Sequence, residues 1–193
     1  MEKNVTRYAL LGLLTLRSEG ATGYDLRKLA ERSIGYFWNE SYGQIYPTLK
    51  QLRKEGLVTA REEAFGKRDR IVYALTAAGR RVLAKWLETG ARMQPPRSEV
   101  LLKLFFGPET TPEINAGRIR DLREHHRWLM GRYDVVERQI RDAYGAEPGL
   151  PYWLMTLDYG RRYSQMALEW SESTLRKLEQ LRGGKQRKKP RSA

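Results

Sequence analysis

The chain has 193 residues, with 36 Lys or Arg against 23 Asp or Glu, and it therefore carries a net charge of +13 at pH 7. The absence of cysteine excludes disulfides, thiolate metal sites and cysteine nucleophiles, and it is typical of cytosolic proteins. The sequence contains no run of eighteen apolar residues and no signal-peptide pattern, so we expect neither a membrane span nor export.

The positive charge lies mainly in the first half of the chain and in its tail. Residues 1–90 carry 16 basic and 10 acidic side chains, residues 91–182 carry 15 and 13, and residues 183–193 carry five basic and no acidic ones. This distribution favours a polyanionic partner, although many proteins of high pI have none. The tail is poor in apolar residues and is predicted to be disordered, and it either adds DNA affinity or only improves solubility.

The first half opens with two predicted helices and an aromatic cluster. Val5 to Arg17 is apolar around most of its circumference, as a buried helix would be. Thr22 is expected to cap a second helix, because Asp25 stands three residues later, as in a capping box. The segment Ile34 to Trp38 is rich in aromatic rings, which we interpret chiefly as core packing.

The stretch Ser41 to Val58 predicts one amphipathic helix that leads directly into a strand. Ser41 is the expected N-cap, and Gly56 is the expected left-handed residue after the last turn. The buried stripe is formed by Ile45, Leu49 and Leu52. Pro47 is expected to be tolerated because the residue whose carbonyl its ring would meet is Gly43, which has no side chain.

The opposite face of this helix is smooth and carries cations, amides and a hydroxyl. Such a face suits the major groove of DNA, where amides bond adenine and lysine reaches guanine or phosphate; an ordinary solvated face is the alternative. Its residues are Gly43, Pro47, Lys50, Gln51 and Lys54, flanked by Gln44 and Thr48.

A β-hairpin and a closing helix are predicted after Gly56. Residues 57–62 and 70–76 are strand-like, with Ile71, Tyr73 and Leu75 alternating onto one face, and the segment AFGKRD between them is the expected tip. Thr76 then caps a helix whose apolar stripe is Val82, Leu83, Trp86 and Leu87. Three helices, a basic hairpin and a closing helix make a winged helix-turn-helix, in which the third helix enters the major groove and the hairpin tip lies along phosphates or in the neighbouring minor groove.

The second half predicts long helices after a proline-stiffened linker. Residues 98–106 form a short apolar helix, and Thr111-Pro112-Glu113 starts a helix that runs to about Tyr144. A heptad seam runs along one face of this helix. A second long helix is predicted from about Tyr152 to Arg182 and carries two apolar stripes. Two stripes require two packing partners, so we expect a homodimer. The predicted interface is Ile119, Leu122, His126, Leu129, Tyr163, Ala167, Trp170 and Leu175.

The predicted fold class is mainly α with a small β-hairpin. We expect a winged helix-turn-helix DNA-binding domain at 1–90, a linker at 91–97, a helical dimerisation and effector-response domain at 98–182 and a basic tail at 183–193. His126 is interpreted chiefly as a hydrogen-bonded interface histidine, with a ligand or pH-sensing role as the alternative. No catalytic arrangement, cofactor site or metal site is predicted, so an enzyme is not expected.

The segments YALLGLL, TGYDL, FWNESYGQIYPTLKQLRKEGLV and YALTAAGRRVLAKWL resemble the PadR family of bacterial transcriptional regulators. The resemblance is closest to members with a large helical C-terminal domain. It implies a cytoplasmic, nucleoid-associated dimer that represses a neighbouring gene and leaves a palindromic operator when a small hydrophobic or aromatic molecule, phenolic compounds included, binds. The predicted DNA contacts are Ser41, Tyr42, Gln44, Tyr46, Pro47, Thr48, Lys50, Gln51, Lys54, Lys67, Arg68 and Arg70.

The effector is expected in an apolar cavity where the C-terminal helices meet the winged helix. The candidate residues are Tyr8, Arg17, Trp38, Tyr152 and Trp153. Two other functions are weighed against this one: an architectural nucleic-acid binder without an effector, and a protein–protein interaction module.

Overall fold

In the computed structural model, which describes residues 5–35, 37–38, 42–65, 68–91 and 97–187, the chain divides into two units, Met1–Met93 and Gln94–Ala193. The predicted linker lies at this division, and residues 92–96 of it lie outside the described residues. The tail from residue 188 lies outside them as well. Each unit has its own apolar core. The predicted architecture, mainly helical with a small sheet and a winged helix before long helices, is confirmed.

The first unit contains helices around a three-stranded antiparallel sheet. Its elements in chain order are α1 (Thr6–Thr15), β1 (Ala21–Thr22), α2 (Gly23–Arg32), a 3-10 turn (Tyr42–Gln44), α3 (Ile45–Lys54), β2 (Val58–Phe65), β3 (Arg68–Leu75) and α4 (Ala77–Leu87). The strand order is β1-β3-β2.

The second unit is helical throughout its described part. Its elements are α5 (Glu99–Phe105), a 3-10 turn (Gly107–Glu109), α6 (Pro112–Tyr144) and α7 (Leu150–Arg187).

The predicted helix starts at Thr22, Thr76 and Thr111 are confirmed by their side-chain caps. The Thr22 hydroxyl accepts a hydrogen bond from the Asp25 amide at 3.1 Å, and the Asp25 carboxylate accepts one from the Thr22 amide, so the capping box is complete. Thr76 caps α4 through the Gly79 amide, and Thr111 caps α6 through that of Ile114. Each cap satisfies an amide that the helix leaves without an acceptor.

The core of the first unit is built mainly from leucines. The fully buried side chains on α1, α2 and α3 are Leu11, Leu14, Leu26, Leu49 and Leu52. Strand β1, which was not predicted, pairs Ala21 with Tyr73 and Thr22 with Val72. A two-residue strand has too little sequence to show alternation, so only the cap at Thr22 was visible.

The hairpin is longer than predicted, and the proposed AFGKRD tip is wrong. Pairing between β2 and β3 continues to Phe65 and Arg68, which leaves a connection of only two residues, 66–67, outside the described residues. The predicted alternation on β3 holds for Tyr73 and Leu75, which pack on the core, whereas Ile71 is exposed. The ribbon extends beyond the leucine core, so its outer residues find no apolar surface to cover.

The apolar stripe of α4 is shorter than predicted. Leu83 is buried, and Val82 and Trp86 pack against the core, but Leu87 at the end of the helix is 66% exposed. The Trp86 ring stacks on Tyr8 of α1 with centroids 4.6 Å apart and planes at 5°. This stacked pair joins the last helix of the unit to the first.

The heptad seam of α6 is filled by α7 of the same chain. Ile119, His126 and Tyr133 are buried on the α6 side of this helical hairpin. Facing them, α7 has small residues: Ser164 and Ser171 are 0% exposed, and a Cβ at Gly160 would lie 3.0 Å from the Tyr133 hydroxyl oxygen. Large side chains on one helix therefore fit against small ones on the other.

This packing corrects the predicted dimer interface. Ile119, His126 and Ala167 are buried within one chain and have no surface left for a partner. Leu122 and Leu129 are half-buried, and Trp170 and Leu175 pack against the cluster of Ala116, Ile119 and Leu178. Tyr163, which is 49% exposed, is the predicted interface residue that remains clearly accessible.

His126 lies in a polar pocket within this seam. Its Nδ1 is 3.1 Å from the Ser164 hydroxyl oxygen, which is 3.4 Å from the Tyr133 hydroxyl. The rings of His125 and Tyr163 contact it at centroid distances of 5.4 and 5.7 Å. Burial lowers the pKa of His126 because it disfavours the imidazolium, and the neighbouring His125 lowers it further.

This lowered pKa predicts a loss of stability in mild acid. Because the folded-state pKa of His126 lies below the ordinary value of 6.5, the unfolded chain takes up the proton first as the pH falls. The free energy of unfolding should therefore decrease progressively as the pH falls below about 6.5. Chemical denaturation between pH 7.5 and 5.5 measures the slope.

His126→Gln should flatten that slope, whereas His125→Gln, at an exposed neighbouring position, should keep most of it. Equal slopes in both variants and the wild type would show that another group causes the pH dependence.

Candidate nucleic-acid interface

The outer face of α3 is exposed along its whole length. Its inner face buries Ile45, Leu49 and Leu52, as predicted. Thr48, predicted at the edge of the outer face, is only 6% exposed, so that assignment is wrong. It stands three residues after Ile45 and therefore falls on the buried stripe. The exposed residues are Gly43, Gln44, Tyr46, Pro47, Lys50, Gln51 and Lys54.

The α-helix begins at Ile45, four residues later than the predicted cap. A 3-10 turn that starts at Tyr42 precedes it, and Gln44 stands at the N-cap position without a side-chain cap. Ser41 lies outside the described residues. Pro47 is thus in the first turn, where its missing N–H would have had no acceptor within the α-helix. This position, rather than the small size of Gly43, makes the proline compatible with the helix.

The end of α3 is a tight turn that passes directly into the wing. Gly56 has φ +70°, as predicted, and the amides of Gly56 and Leu57 donate to the carbonyls of Arg53 and Leu52 at 3.0 and 2.9 Å. These are the two bonds of a Schellman motif. The Thr76 hydroxyl lies 2.9 Å from the Gly56 carbonyl oxygen and 3.0 Å from that of Leu57. The turn is therefore held by backbone hydrogen bonds to the end of α3 and by the side chain of Thr76.

Tyr46 and the start of α2 extend the exposed face beyond the predicted residues. The Tyr46 ring is 55% exposed and lies against Gly23, where an added Cβ would be 2.6 Å from a ring carbon. Next to Gly23, Tyr24 is also exposed, with the Lys28 ammonium 5.6 Å from its ring centroid. The first helix of a helix-turn-helix crosses the DNA backbone, so Tyr24 and Lys28 are candidate phosphate contacts. Their positions on α2 resemble any solvated helix face, and the sequence alone did not reveal them.

The cations of α3 and of the wing differ in their partners. Within the described part of the chain, Lys50 and Lys54 take part in no ion pair. Arg70 instead donates two hydrogen bonds to Glu63 on the paired strand, at 2.9 and 3.1 Å, and Arg61 donates another at 2.8 Å. Both arginines lower the pKa of Glu63, Arg70 most strongly. A carboxylate therefore stands between two arginines in the wing.

Two other residues were predicted as wing contacts. Lys67 lies outside the described residues, and Arg68 is the first residue of β3.

The predicted effector residues lie in different surroundings. In the first unit, Tyr8 is stacked on Trp86, and Arg17 is exposed just after α1. Trp38 borders a cavity of about 30 Å³ that is lined mostly by apolar residues, and its indole N–H is buried without a partner among the described residues. In the second unit, Tyr152 is exposed, and Trp153 makes an edge contact with Tyr144 at 5.4 Å.

The cavity beside Trp38 is too small for an aromatic ligand as it stands. Its volume of about 30 Å³ suits one or two water molecules, whereas a cavity that binds benzene measures about 150 Å³. An aromatic molecule could enter only if Trp38 or its neighbours moved.

The described residues contain no group of three or more His, Cys, Asp or Glu side chains placed to hold a metal ion. No helix among them is long and apolar enough to cross a membrane.

Two family models match the chain one after the other. The first, described as the transcriptional regulator PadR-like family, matches residues 10–85. The second, described as virulence activator alpha C-term, matches residues 96–179. The two matches cover most of the described chain, including α3, the wing and the long helices.

Individual relatives are similar over nearly their whole length. The negative transcriptional regulator PadR of Bacillus subtilis is 28% identical over 183 residues, which make up 89% of this chain and 96% of the relative. The crystal structure of Bacillus subtilis PadR in complex with operator DNA gives a TM-score of 0.79 at 25% identity, covering 92% of this chain and 99% of that one. Its crystal structure in complex with p-coumaric acid gives 0.70 at 26% identity, covering 91% and 99%.

The Glu63 cluster predicts the effect of one substitution on DNA binding. Glu63→Gln removes the carboxylate that pairs with Arg61 and Arg70, so the positive charge of these two arginines is no longer offset at this point of the wing. We expect several-fold tighter binding to any duplex and a salt dependence steeper by about one counterion. Fluorescence anisotropy at 50 to 200 mM salt measures both.

Glu62→Gln is the matched control, because it removes the same charge from the adjacent position of β2. Among the described residues, Glu62 forms no hydrogen bond or ion pair with either arginine. Equal effects of the two substitutions would mean that only net charge matters.

Proposed function

The chain belongs to the PadR-like family of transcriptional regulators, and from this we propose that it is a dimeric repressor that a small aromatic molecule releases from a palindromic operator. The observation that carries the proposal is the exposed outer face of α3, where Lys50 and Lys54, which form no ion pair with any described residue, stand beside amides. In this proposal the protein acts on DNA in the bacterial cytoplasm and catalyses no reaction.

Base reading is assigned to the side chains of this face that can reach base edges. Gln44 and Gln51 offer amides that match adenine, and Lys50 offers a donor that matches guanine. Lys54 and the wing residues Lys67, Arg68 and Arg70 are assigned to phosphates, which fix the position of the protein on the duplex. Tyr46 and Pro47 shape the surface that approaches the groove, and Tyr42 in the preceding 3-10 turn is assigned to the same DNA contact.

Dimerisation is assigned to an exposed apolar stripe on α7 that differs from the predicted seam. Its residues recur at helical spacing, and each is about half exposed or more; they are Tyr152, Met155, Tyr159, Tyr163 and Met166. A stripe of this size on one helix marks a surface that another molecule covers. A second copy of the chain is the occupant that suits a palindromic operator, because two identical reading heads match two half-sites.

The proposal of repression and release is supported by the Bacillus subtilis relative, which is named a negative regulator and has been crystallised with p-coumaric acid. The effector proposed for this chain is likewise a small phenolic or hydrophobic molecule. The Trp38 cavity supports a site that opens on binding, since the buried indole N–H has no acceptor among the described residues and could donate to a polar substituent. A ligand can shift the DNA-binding equilibrium only by binding the released state more tightly.

The test of the function is binding to the DNA upstream of the protein's own gene. Wild type should bind one segment at least about a thousandfold more tightly than unrelated duplex at 150 mM salt. Addition of p-coumaric acid or related phenolic acids should weaken that binding. Tight binding without sequence preference would favour the architectural alternative, and no binding even at low salt would favour the protein–protein module.

The dimer test uses charge placed on the α7 stripe. Tyr159→Glu should raise the dimer dissociation constant at least about tenfold, because an unpaired carboxylate would be buried in an apolar contact. Light scattering at micromolar concentration should show a dimer for wild type and a larger monomer fraction for the variant.

Trp128→Glu serves as control, since Trp128 is a similarly exposed aromatic residue on α6, off this stripe. A monomeric wild type would contradict the proposal.

A further inference from the structure

One carboxylate links the reading face of α3 to the core of the first unit. Glu55 follows α3 directly, and its two oxygens have different partners. Oε1 accepts a hydrogen bond from Gln51 Nε2 at 2.8 Å, and Oε2 is ion-paired with the Arg7 guanidinium of α1. Glu55 therefore joins a candidate base-reading amide to a helix that does not itself carry the reading face.

The Arg7 end of this link is held in place by packing. The side chains of Arg7 and Glu55 are both about 30% exposed, and the Arg7 guanidinium lies 5.6 Å from the centroid of the Tyr8 ring. Tyr8 is in turn stacked on Trp86. An ion pair with one member packed on a buried helix loses less side-chain freedom than a pair between two mobile surface side chains.

We propose that Glu55 is a positioning residue that sets the orientation of the Gln51 amide for base reading. A carboxylate only accepts hydrogen bonds, so it requires the NH₂ end of the amide to face it. One N–H and the carbonyl oxygen of Gln51 then remain free. This donor–acceptor pair matches N7 and the N6 amino group of adenine.

Without Glu55 the amide of Gln51 is free to rotate about its last bond, and it presents donor and acceptor in either order. A reversed amide cannot pair with adenine in the same geometry, so discrimination falls while contact with DNA is retained. Arg7 adds a second effect, because it neutralises a carboxylate that would otherwise lie near DNA phosphates.

The inference rests on the proposed function, and the experiment separates the two. Binding is measured for wild type, Gln51→Ala, Glu55→Ala and the double variant against an operator half-site in which each base pair is substituted in turn. Gln51→Ala should reduce discrimination at one base pair by about tenfold. Glu55→Ala should reduce it by at least about threefold at the same base pair, and should add nothing in the Gln51→Ala background.

Glu88→Ala is the matched control, because Glu88 follows α4 at the same C-cap position that Glu55 occupies after α3. It should leave every base preference unchanged. Thermal unfolding confirms that the variants fold, and Glu55→Gln replaces Glu55→Ala if the latter does not, with a smaller loss expected at the same base pair.

Two results would overturn the inference alone: a preference at the Gln51 base pair that survives Glu55→Ala, or a Glu55→Ala loss that is equal for all sequences. A wild type without preference at any base pair would overturn the proposed function, and the inference with it.

Discussion

The burial of the inner face of α3 against the leucines of α1 and α2 is the constraint on which the reading surface depends. Ile45, Leu49 and Leu52 enter that core, and each buried side chain contributes about 1.5–3 kcal/mol. Because the three residues lie on one stripe, their burial fixes the rotation of the helix about its axis. The identity of every outward-facing side chain follows from that rotation, and so does the contact between Glu55 and Arg7.

Local patterns were sufficient to predict most of the elements. Helix caps such as Thr22 and Thr111 act within four residues, and the apolar periods of α3 and α6 are strong, so their signals are complete in the sequence. The errors arose where a distant segment decides the outcome. The two residues of β1 form a strand only because β3 lies beside them, and Ile71 is exposed because the ribbon extends past the core.

The candidate site was predictable to the same degree and for the same reason. The outer face of α3 follows from one helical wheel, and only Thr48 was placed on the wrong side of it. The partner of the α6 seam was misassigned because Ser164 and Ser171 are polar and small, and a hydrophobicity pattern passes over them. Ser164 lies within hydrogen-bonding distance of Tyr133 and His126 on the facing helix, which no local window contains.

The Schellman turn at Gly56 joins the end of α3 directly to the start of the wing. Leu57 is buried one residue after the glycine, and the Thr76 hydroxyl, just after β3, donates to the carbonyls of Gly56 and Leu57, so the connection between α3 and the wing is held at several points. Under the proposed function, this turn sets the distance between the contacts of α3 and those of the wing, and the duplex adapts to that distance. The energy of that adaptation varies with the stiffness of base steps the protein never touches, so the sequence between the contacts is read through its deformability.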